Sequence, residues 1–513
     1  MTNQSVRTSR LGGEIRRRGL LGGARSRTGN GVLAGALVTA MVFALFVGGL
    51  AGIVVAVVLF GGAFVITRQN PVTGRSSGRE LALALRWRQR QWRGETDLLP
   101  AHLATPQPAP RTRAERRAAR RWARSVRDET PGLEGVEWLD PDGVGPAVLL
   151  HHPAGQAPYL TVAIEVDGQP SGLRSQREYD RASAAYGRLL ARLARGGGLI
   201  AGVQSLTHIV PLDSAAHERW AADHIDTGAP PVLMRSYAEL VRMTAGVSEM
   251  VRHYLVLRLP LTLRYVQEAA RYGTGEAGQV ALAISQAEWV SSLALGADLR
   301  NPRLMTNHRL AALLRHLQNP DFPIDETVDV SARTWLRRLR ATREAAVVDE
   351  RWFHRVAAIP RSAVTPEPVG ARWLAPLLHG GNTPVVRTIS LSVTVQPAAR
   401  ARRQAREDLT VDLGSRNEAA RRGTIDDGTQ AVQASASAQR LADLQPGSGI
   451  HGAQWAGWIA VAATSMDDVL RASTTIADAA GDSGIGYLDW LDRRHDEALP
   501  VTWPVWRGME VRQ

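Results

Sequence analysis

Residues 29–67 form a run of 39 residues without a charged side chain, in a chain where 22% of the residues are charged. A single helix through this run would rise about 1.5 Å per residue to roughly 60 Å, about twice the hydrocarbon thickness of a bilayer. Gly48 and Gly52 lie near its middle, where a reversal of the chain favours residues without a Cβ. The sequence therefore predicts a transmembrane helical hairpin, with helices over about 31–47 and 50–66. A single tilted span and a cleaved signal peptide are the alternatives.

Arginines flank this run on both sides, and positively charged flanks stay in the cytosol. Both termini are therefore expected to be cytoplasmic, which places the chain in the cell membrane as a multi-pass protein. Two tryptophans in RWRQRQWR resemble an anchor at the surface of anionic lipid. The predicted membrane-interface residues are Arg16, Arg17, Arg18, Arg25, Arg27, Arg68, Trp87 and Trp92. Small residues that let helices approach closely are predicted at Gly35, Gly48, Gly52 and Gly61.

The net charge of +13 is concentrated near the N-terminus. Residues 1–127 hold 22 Arg and 5 acidic residues, and the rest of the chain is slightly acidic. Lipid and topology explain such a segment before nucleic acid is needed, although nucleic acid or an acidic partner could also contact it. The chain contains neither Cys nor Lys, which excludes disulfides, thiolate catalysis and the lysine of a P-loop. The chain is therefore not expected to be an ATPase on its own.

The chain divides into five predicted parts, which end in a large domain of alternating strands and helices. Strand periodicity at 159–168 is followed by a capping box at Ser175 and Glu178. A helix is predicted over 331–347, and a further half-buried strand is predicted at 385–396. The predicted fold class is a mixed α/β (α+β) cytoplasmic domain of two lobes behind the N-terminal transmembrane hairpin. The parts are a basic tail (1–28), the hairpin (29–67), basic juxtamembrane helices and linker (68–130), a first α/β lobe (131–262) and a second α/β lobe with a long helical insertion (263–513).

Four short motifs are tempting but weak. GTGEAG (273–278) and GSGIHG (447–452) match a dinucleotide-binding pattern, but neither lies between a strand and a helix as that fold requires. SAAHE (214–218) and GDSG (481–484) echo serine-protease signatures, yet the chain between them is largely helical. Loops and helix ends are the preferred interpretation. No catalytic, cofactor-binding or metal-binding residue is predicted.

The whole layout resembles a family. RRRGLLGG, the hairpin, RSSGRELALALRWRQRQW, QSLTHIVP, RTISLSVTV and WAGWIAVAAT together look like actinobacterial membrane components of conjugative, type IV secretion-like systems. The hairpin is similar to the small PrgI-type membrane subunit of such systems. The remainder is similar to the N-terminal, non-hydrolytic domain of conjugative secretion ATPases.

This resemblance implies a function that is mechanical rather than chemical. The chain is expected to be a non-catalytic membrane scaffold, part of a hetero-oligomer, that anchors a separate motor ATPase beside other secretion-system membrane subunits and membrane lipid. No cofactor is expected. An EccE-like component of type VII secretion and a membrane-tethered enzyme are the alternatives.

Overall fold

The computed structural model describes most of the chain. The described residues are 9–10, 27–47, 49–67, 75–105, 110–168, 174–194, 198–211, 223–224, 226, 228–245, 248–324, 330–365, 368–379, 384–396, 398–421, 429–445 and 452–508.

Helices and strands alternate through most of these residues. The helices are α1 (Arg27–Val47), α2 (Gly49–Thr67), α3 (Ser77–Arg93), α4 (Arg113–Ser125), α5 (Gln176–Leu193), α6 (Pro231–Ala245), α7 (Leu263–Ala269), α8 (Gly275–Leu295), α9 (Asn307–Gln318), α10 (Ala375–Leu378), α11 (Ala398–Arg421), α12 (Thr429–Asp443), α13 (Met466–Asp482) and α14 (His495–Ala498). The strands are β1 (Ser9–Arg10), β2 (Asp97–Leu98), β3 (Val136–Leu139), β4 (Val148–His151), β5 (Tyr159–Val166), β6 (Gly202–Pro211), β7 (Glu249–Pro260), β8 (Arg303–Leu304), β9 (Leu339–Ala341), β10 (Ala346–Val348), β11 (Trp352–Ile359), β12 (Pro368–Val369), β13 (Val386–Gln396), β14 (Gly452–Ala463) and β15 (Asp489–Trp490).

One large sheet organises the described residues. Its strands follow the order β2-β9-β10-β11-β14-β13-β6-β7-β5-β4-β3, with β15 beside β11 and β8 beside β5. Neighbouring strands run antiparallel, as where β6 pairs with β13 and Leu206 lies opposite Ser390. Strands from both predicted lobes therefore share one sheet. The exact domain boundaries stay a prediction.

The predicted fold class is wrong in two respects. The alternation of strands and helices predicted a mixed α/β sheet in two lobes, whereas the structure has a large, mostly antiparallel sheet with helices. The reason lies in the connections: α5 leads from β5 to β6, but β6 pairs with β7, which in turn pairs with β5. A helix between two strands thus does not make those strands parallel neighbours.

The second correction concerns the N-terminal hairpin and the location in the cell. Two helices, α1 and α2, do lie against each other. In the part of the chain that the structure describes, however, no helix has both the length and the apolar character that crossing a membrane requires. The transmembrane hairpin at 29–67 and the multi-pass membrane location are therefore wrong.

The predictions of individual strands and of one helix start agree with the structure better than the predicted fold class does. The strands expected at 159–168 and 385–396 are confirmed as β5 and β13. The capping box is also confirmed, since the Ser175 backbone N–H donates to the Glu178 carboxylate at 2.8 Å. The helix predicted over 331–347 is wrong: this stretch contains β9 and β10, which pair at the sheet edge.

Both faces of the sheet are covered. In β5, Leu160, Val162 and Ile164 pack in a cluster with α5 and α8, while Tyr159 and Ala163 face a second cluster formed with α9 and residues 498–506. A third cluster lies where α13 packs on β11 and β14. The sheet is therefore the middle of a layered core, which explains why its central strands are apolar on both faces.

Arg387, in the middle of the sheet, is completely buried yet fully paired. Its guanidinium contacts the Glu249 carboxylate with two hydrogen bonds of 2.5 and 2.8 Å. It also donates to the carbonyls of Leu377, Leu378 and Val385 at 2.9–3.0 Å. Every donor nitrogen of this side chain has an acceptor, so the buried charge is compensated.

Candidate interaction surfaces

Ion pairs fasten α3 to the C-terminal part of the chain, and we call this set of contacts the α3 clamp. It comprises Arg75, Glu80 and Arg90 on one side and Asp489, Arg493, Asp496 and Glu497 on the other. At the start of α3, Arg75 pairs with Asp489 and with Glu80 (3.0 Å to Oε1) and donates to the carbonyl of Trp490. Glu80 in turn lies 3.3 Å from Arg493.

At the end of α3, Arg90 carries the second half of the clamp. Its guanidinium pairs with the buried Asp496 carboxylate and lies 3.1 Å from Glu497. Burial is the largest single effect on the pKa of Arg90 and lowers it. The attractions of Asp496 and Glu497 together are stronger, so the pKa is raised overall. Both ends of α3 are thus held by carboxylates that lie about 400 residues further along the chain.

Local sequence explains why α3 begins and ends where it does. The Ser76 hydroxyl accepts a hydrogen bond from the Arg79 backbone N–H, and Glu80 lies in the first turn. Gly94 ends the helix in the left-handed conformation (φ 73°), which glycine adopts without steric cost. These caps place Arg86, Arg90 and Arg93 on the side of α3 that faces the clamp cavity.

The clamp cavity is a space of about 280 Å³ beside the α3 clamp. It is lined by Arg86, Gln89, Arg90, Arg93, Glu95, Arg127, Pro131, Glu134 and Glu497. All but Pro131 are polar or charged. Such a lining suits a small polar ligand rather than an apolar one.

Arg127 is the most unusual residue of this cavity. One guanidinium nitrogen donates to the carbonyl of Glu95 at 2.9 Å. Its Nε is buried and has no hydrogen-bond partner among the described residues. Burial, and then the nearby positive charge of Arg90, lower the pKa of Arg127.

The structure separates the two tryptophans of the predicted lipid anchor. Trp87 is buried, with the Arg90 guanidinium 5.9 Å from its ring centre. Trp92 is 73% exposed, and Arg88 lies 5.3 Å from its ring. The two rings therefore do not act together: Trp87 belongs to the clamp side of α3, and Trp92 belongs to its surface.

The other predicted interface and packing residues are only partly described. Arg16, Arg17, Arg18, Arg25, Arg68 and Gly48 lie outside the described residues, and Arg27 and Gly52 fall in α1 and α2 without a described environment. An added Cβ at Gly35 or Gly61 would meet no atom within 4 Å. These two glycines are thus not in close contact within the described chain, and their role in packing against other subunits stays a prediction.

Helix α4 presents a dense basic surface. A capping box of Thr112 and Glu115 begins the helix, and none of its side chains is buried. Its arginines are Arg113, Arg116, Arg117, Arg120, Arg121 and Arg124. Such a surface suits the acidic partner or the nucleic acid that the sequence allows.

Apolar side chains remain exposed on α6. No described side chain of this helix is buried, and Leu233, Leu240 and Met243 are 57–65% exposed. Their spacing of seven and then three residues places them on one helix face. Such a face is typical of a helix that docks in a partner's groove.

The α1–α2 hairpin also exposes apolar side chains. Its exposed large apolar side chains are Leu37, Val38, Met41, Val42, Phe46, Val54, Val55, Val57, Val58, Leu59, Val65 and Ile66. Exposed apolar patches of this kind mark interaction sites.

The weak catalytic motifs have structural roles where they are described. The Ser483 hydroxyl donates to the carbonyl of Ala479 at 2.9 Å at the end of α13 and is therefore engaged within the helix. GTGEAG covers the two residues before α8 and the first turn of that helix, with Gly273 and Gly275 at positive φ. SAAHE lies outside the described residues, as does most of GSGIHG.

Sequence reasoning missed the acidic half of the clamp and Arg127. Asp489, Asp496 and Glu497 lie in a short C-terminal stretch with no local motif. Only the pairing of distant segments brings them to α3. The exposed apolar face of α6 could have been found from its spacing, because a helix with such a face must cover it with something.

Comparisons with known proteins give no further guide: the chain matches no family model, and no curated protein matches its sequence.

Proposed function

We propose that this chain is a non-catalytic assembly component of a conjugative, type IV secretion-like apparatus that docks a separate motor ATPase. The observation that carries the proposal is the exposed apolar face of α6, formed by Leu233, Leu240 and Met243. A protein that works alone gains stability by covering such side chains, whereas an assembly component keeps them for its partner.

Other features of the described chain support an assembly role. The α1–α2 hairpin offers a second apolar surface, and α4 offers a basic one. Three separate surfaces, two apolar and one basic, suit a component of a hetero-oligomer. The resemblance of the part after the hairpin to the N-terminal, non-hydrolytic domain of conjugative secretion ATPases supports a motor ATPase of such a system as the partner.

The test is recovery of the motor ATPase with the tagged full chain, expressed together with its neighbouring genes. In the double variant Leu233→Glu/Leu240→Glu, two charges replace the proposed anchors, and recovery should fall about tenfold or more, which corresponds to roughly 1.4 kcal/mol of binding. The matched control is Val144→Glu, an exposed apolar residue in a loop far from α6 in sequence. It should leave recovery unchanged.

Other outcomes would favour a different function or a different docking surface. Specific recovery of a type VII secretion ATPase would favour the EccE-like alternative. A chain that is recovered alone and hydrolyses a substrate would favour the enzyme alternative. Equal loss in the α6 variant and in Val144→Glu would refute α6 as the docking helix.

A further inference from the structure

The clamp cavity has an excess of arginines that the α3 clamp itself does not use. Four arginines and three glutamates line it. Arg90 is engaged by Asp496 and Glu497, and Arg93 lies 3.7 Å from Glu95. Arg86 and Arg127 have no carboxylate within ion-pair distance among the described residues.

Arg127 also has an unmet hydrogen bond. Leaving a buried donor without an acceptor costs about 1–3 kcal/mol, more when the group is charged. Arg387 in the sheet differs, since all its nitrogens are paired. An acceptor that enters the cavity would contact the exposed part of the Arg127 guanidinium, and it would add to the attraction by which Asp496, Glu95 and Glu134 already oppose the repulsion from Arg90.

The volume and the lining of the cavity limit which hydrogen-bond acceptors can bind there. A cavity of about 280 Å³ with a polar lining admits a small ligand. Guanidinium groups match the oxygens of phosphate with paired hydrogen bonds. The Glu95 and Glu134 carboxylates can accept hydrogen bonds but repel a bare anion, so they suit the hydroxyl groups of a ligand that also carries a phosphate.

We propose that the clamp cavity binds a small phosphate monoester that carries hydroxyl groups. Arg86 and Arg127 hold the phosphate, and the Glu134 carboxylate accepts from a hydroxyl. This site is separate from the docking face on α6 and does not depend on the proposed function. Because Arg90 belongs to both the cavity and the clamp, a bound ligand would also tighten the attachment of α3.

The first experiment measures binding to the full chain by calorimetry with three probes. Glucose 6-phosphate should bind more tightly than inorganic phosphate, and glucose should not bind. Arg127→Gln should weaken binding of glucose 6-phosphate about tenfold, which corresponds to roughly 1.4 kcal/mol. The matched control Arg113→Gln, on the exposed basic helix α4, should leave it unchanged.

A second variant distinguishes a specific site from a misfolded or merely basic surface. Glu134→Gln should weaken binding of glucose 6-phosphate, because a hydroxyl acceptor loses its charge. It should strengthen binding of inorganic phosphate, because a repulsive charge is removed. A loss of folding cannot produce a gain in affinity.

Three outcomes would overturn the proposal. They are absence of saturable binding for both phosphate probes, equal weakening by Arg113→Gln and Arg127→Gln, and glucose binding as tightly as glucose 6-phosphate. Glycerol phosphate, a soluble lipid headgroup, serves as a further probe. If it binds better than the sugar phosphate and responds to the same variants, the cavity still binds a phosphate monoester, and its ligand is a lipid headgroup.

Discussion

Two arginines of this chain, the buried Arg387 in the sheet and the half-buried Arg127 beside α3, differ in how they are paired. Arg387 has a carboxylate and three carbonyls around it, and every nitrogen has an acceptor. Arg127 has one carbonyl, and its Nε has no hydrogen-bond partner among the described residues. The saturated guanidinium of Arg387 stabilises the fold, whereas the half-buried guanidinium of Arg127 lines a cavity that a ligand can enter.

The comparison extends to the regions around them. The sheet around Arg387 is packed on both faces, and polar groups such as Gln204 and Ser390 are bonded to each other. The clamp joins its helix to the rest of the chain through charges that border a cavity. We therefore expect substitutions in the sheet to act on global stability and substitutions in the clamp to act on the attachment of α3.

The largest effect is expected for Arg387→Leu. Removing one member of a buried ion pair costs about 3–5 kcal/mol, since Glu249 and three carbonyls lose their partner. Denaturant unfolding monitored by circular dichroism gives the change in free energy. A loss below that of a clamp substitution would contradict the distinction between the two regions.

A smaller effect is expected for Arg90→Leu. Hydrogen bonds to charged groups contribute about 1.5–3 kcal/mol, and although Asp496 is buried, Glu497 is partly exposed and can be solvated when Arg90 is removed. Hydrogen exchange should increase in α3 before it increases in β13. Arg88→Leu, an exposed arginine on the same helix, is the control; an equal effect there would refute the clamp.

Acid should destabilise the sheet region through buried histidines. His354 in β11 is buried, and burial lowers its pKa to about 4, below the ordinary 6.5. Between these values the unfolded chain binds a proton that the folded chain does not, so stability falls as pH decreases by about 1.4 kcal/mol per pH unit.

The substitution His354→Gln tests this linkage. It should flatten the slope of unfolding free energy against pH between 6.5 and 4 by the contribution of one histidine. Above pH 7 the slope should match that of the original chain, because the imidazole is then neutral in both states. An unchanged slope in the acid range would show that His354 is not the group responsible.

The smallest effect is expected for Trp92→Ala. This side chain is exposed, and substitutions at exposed positions without special contacts usually change stability by less than about 0.5 kcal/mol. Trp87→Ala, which empties a buried site on the same helix, should cost clearly more. Thermal unfolding of the two variants compares them directly, and equal costs would contradict the placement of α3.

Sequence patterns predicted local elements well and their assembly poorly. Strand alternation located β5 and β13, and the capping box located the start of α5. At 331–347 the helical pattern was misleading, because pairing at the sheet edge overrode local propensity. The uncharged run at 29–67 correctly predicted two helices, α1 and α2, but the prediction that they span a membrane is wrong.

Within the candidate surfaces, the sequence identified the basic residues and not their partners. Arg86, Arg90 and Arg93 belong to the conspicuous basic helix α3. Asp496 and Glu497 carry no pattern that relates them to it, because ion pairing between distant segments depends on geometry alone. The sequence also does not reveal that the Nε of Arg127 is buried, because burial depends on the residues that pack around it.

The sequence by itself determined the excess of arginine near the N-terminus, the absence of Cys and Lys, and the periodicities that define most strands and helices. These are local properties, set by side-chain chemistry and by the repeat of each element. Only the tertiary structure decided that the described strands other than β1 and β12 form one antiparallel sheet, that α3 is fastened to the C-terminal segment, and that a cavity lined by arginines lies beside it. Such features arise from which distant segments meet, and that choice is made by the packing of the whole chain.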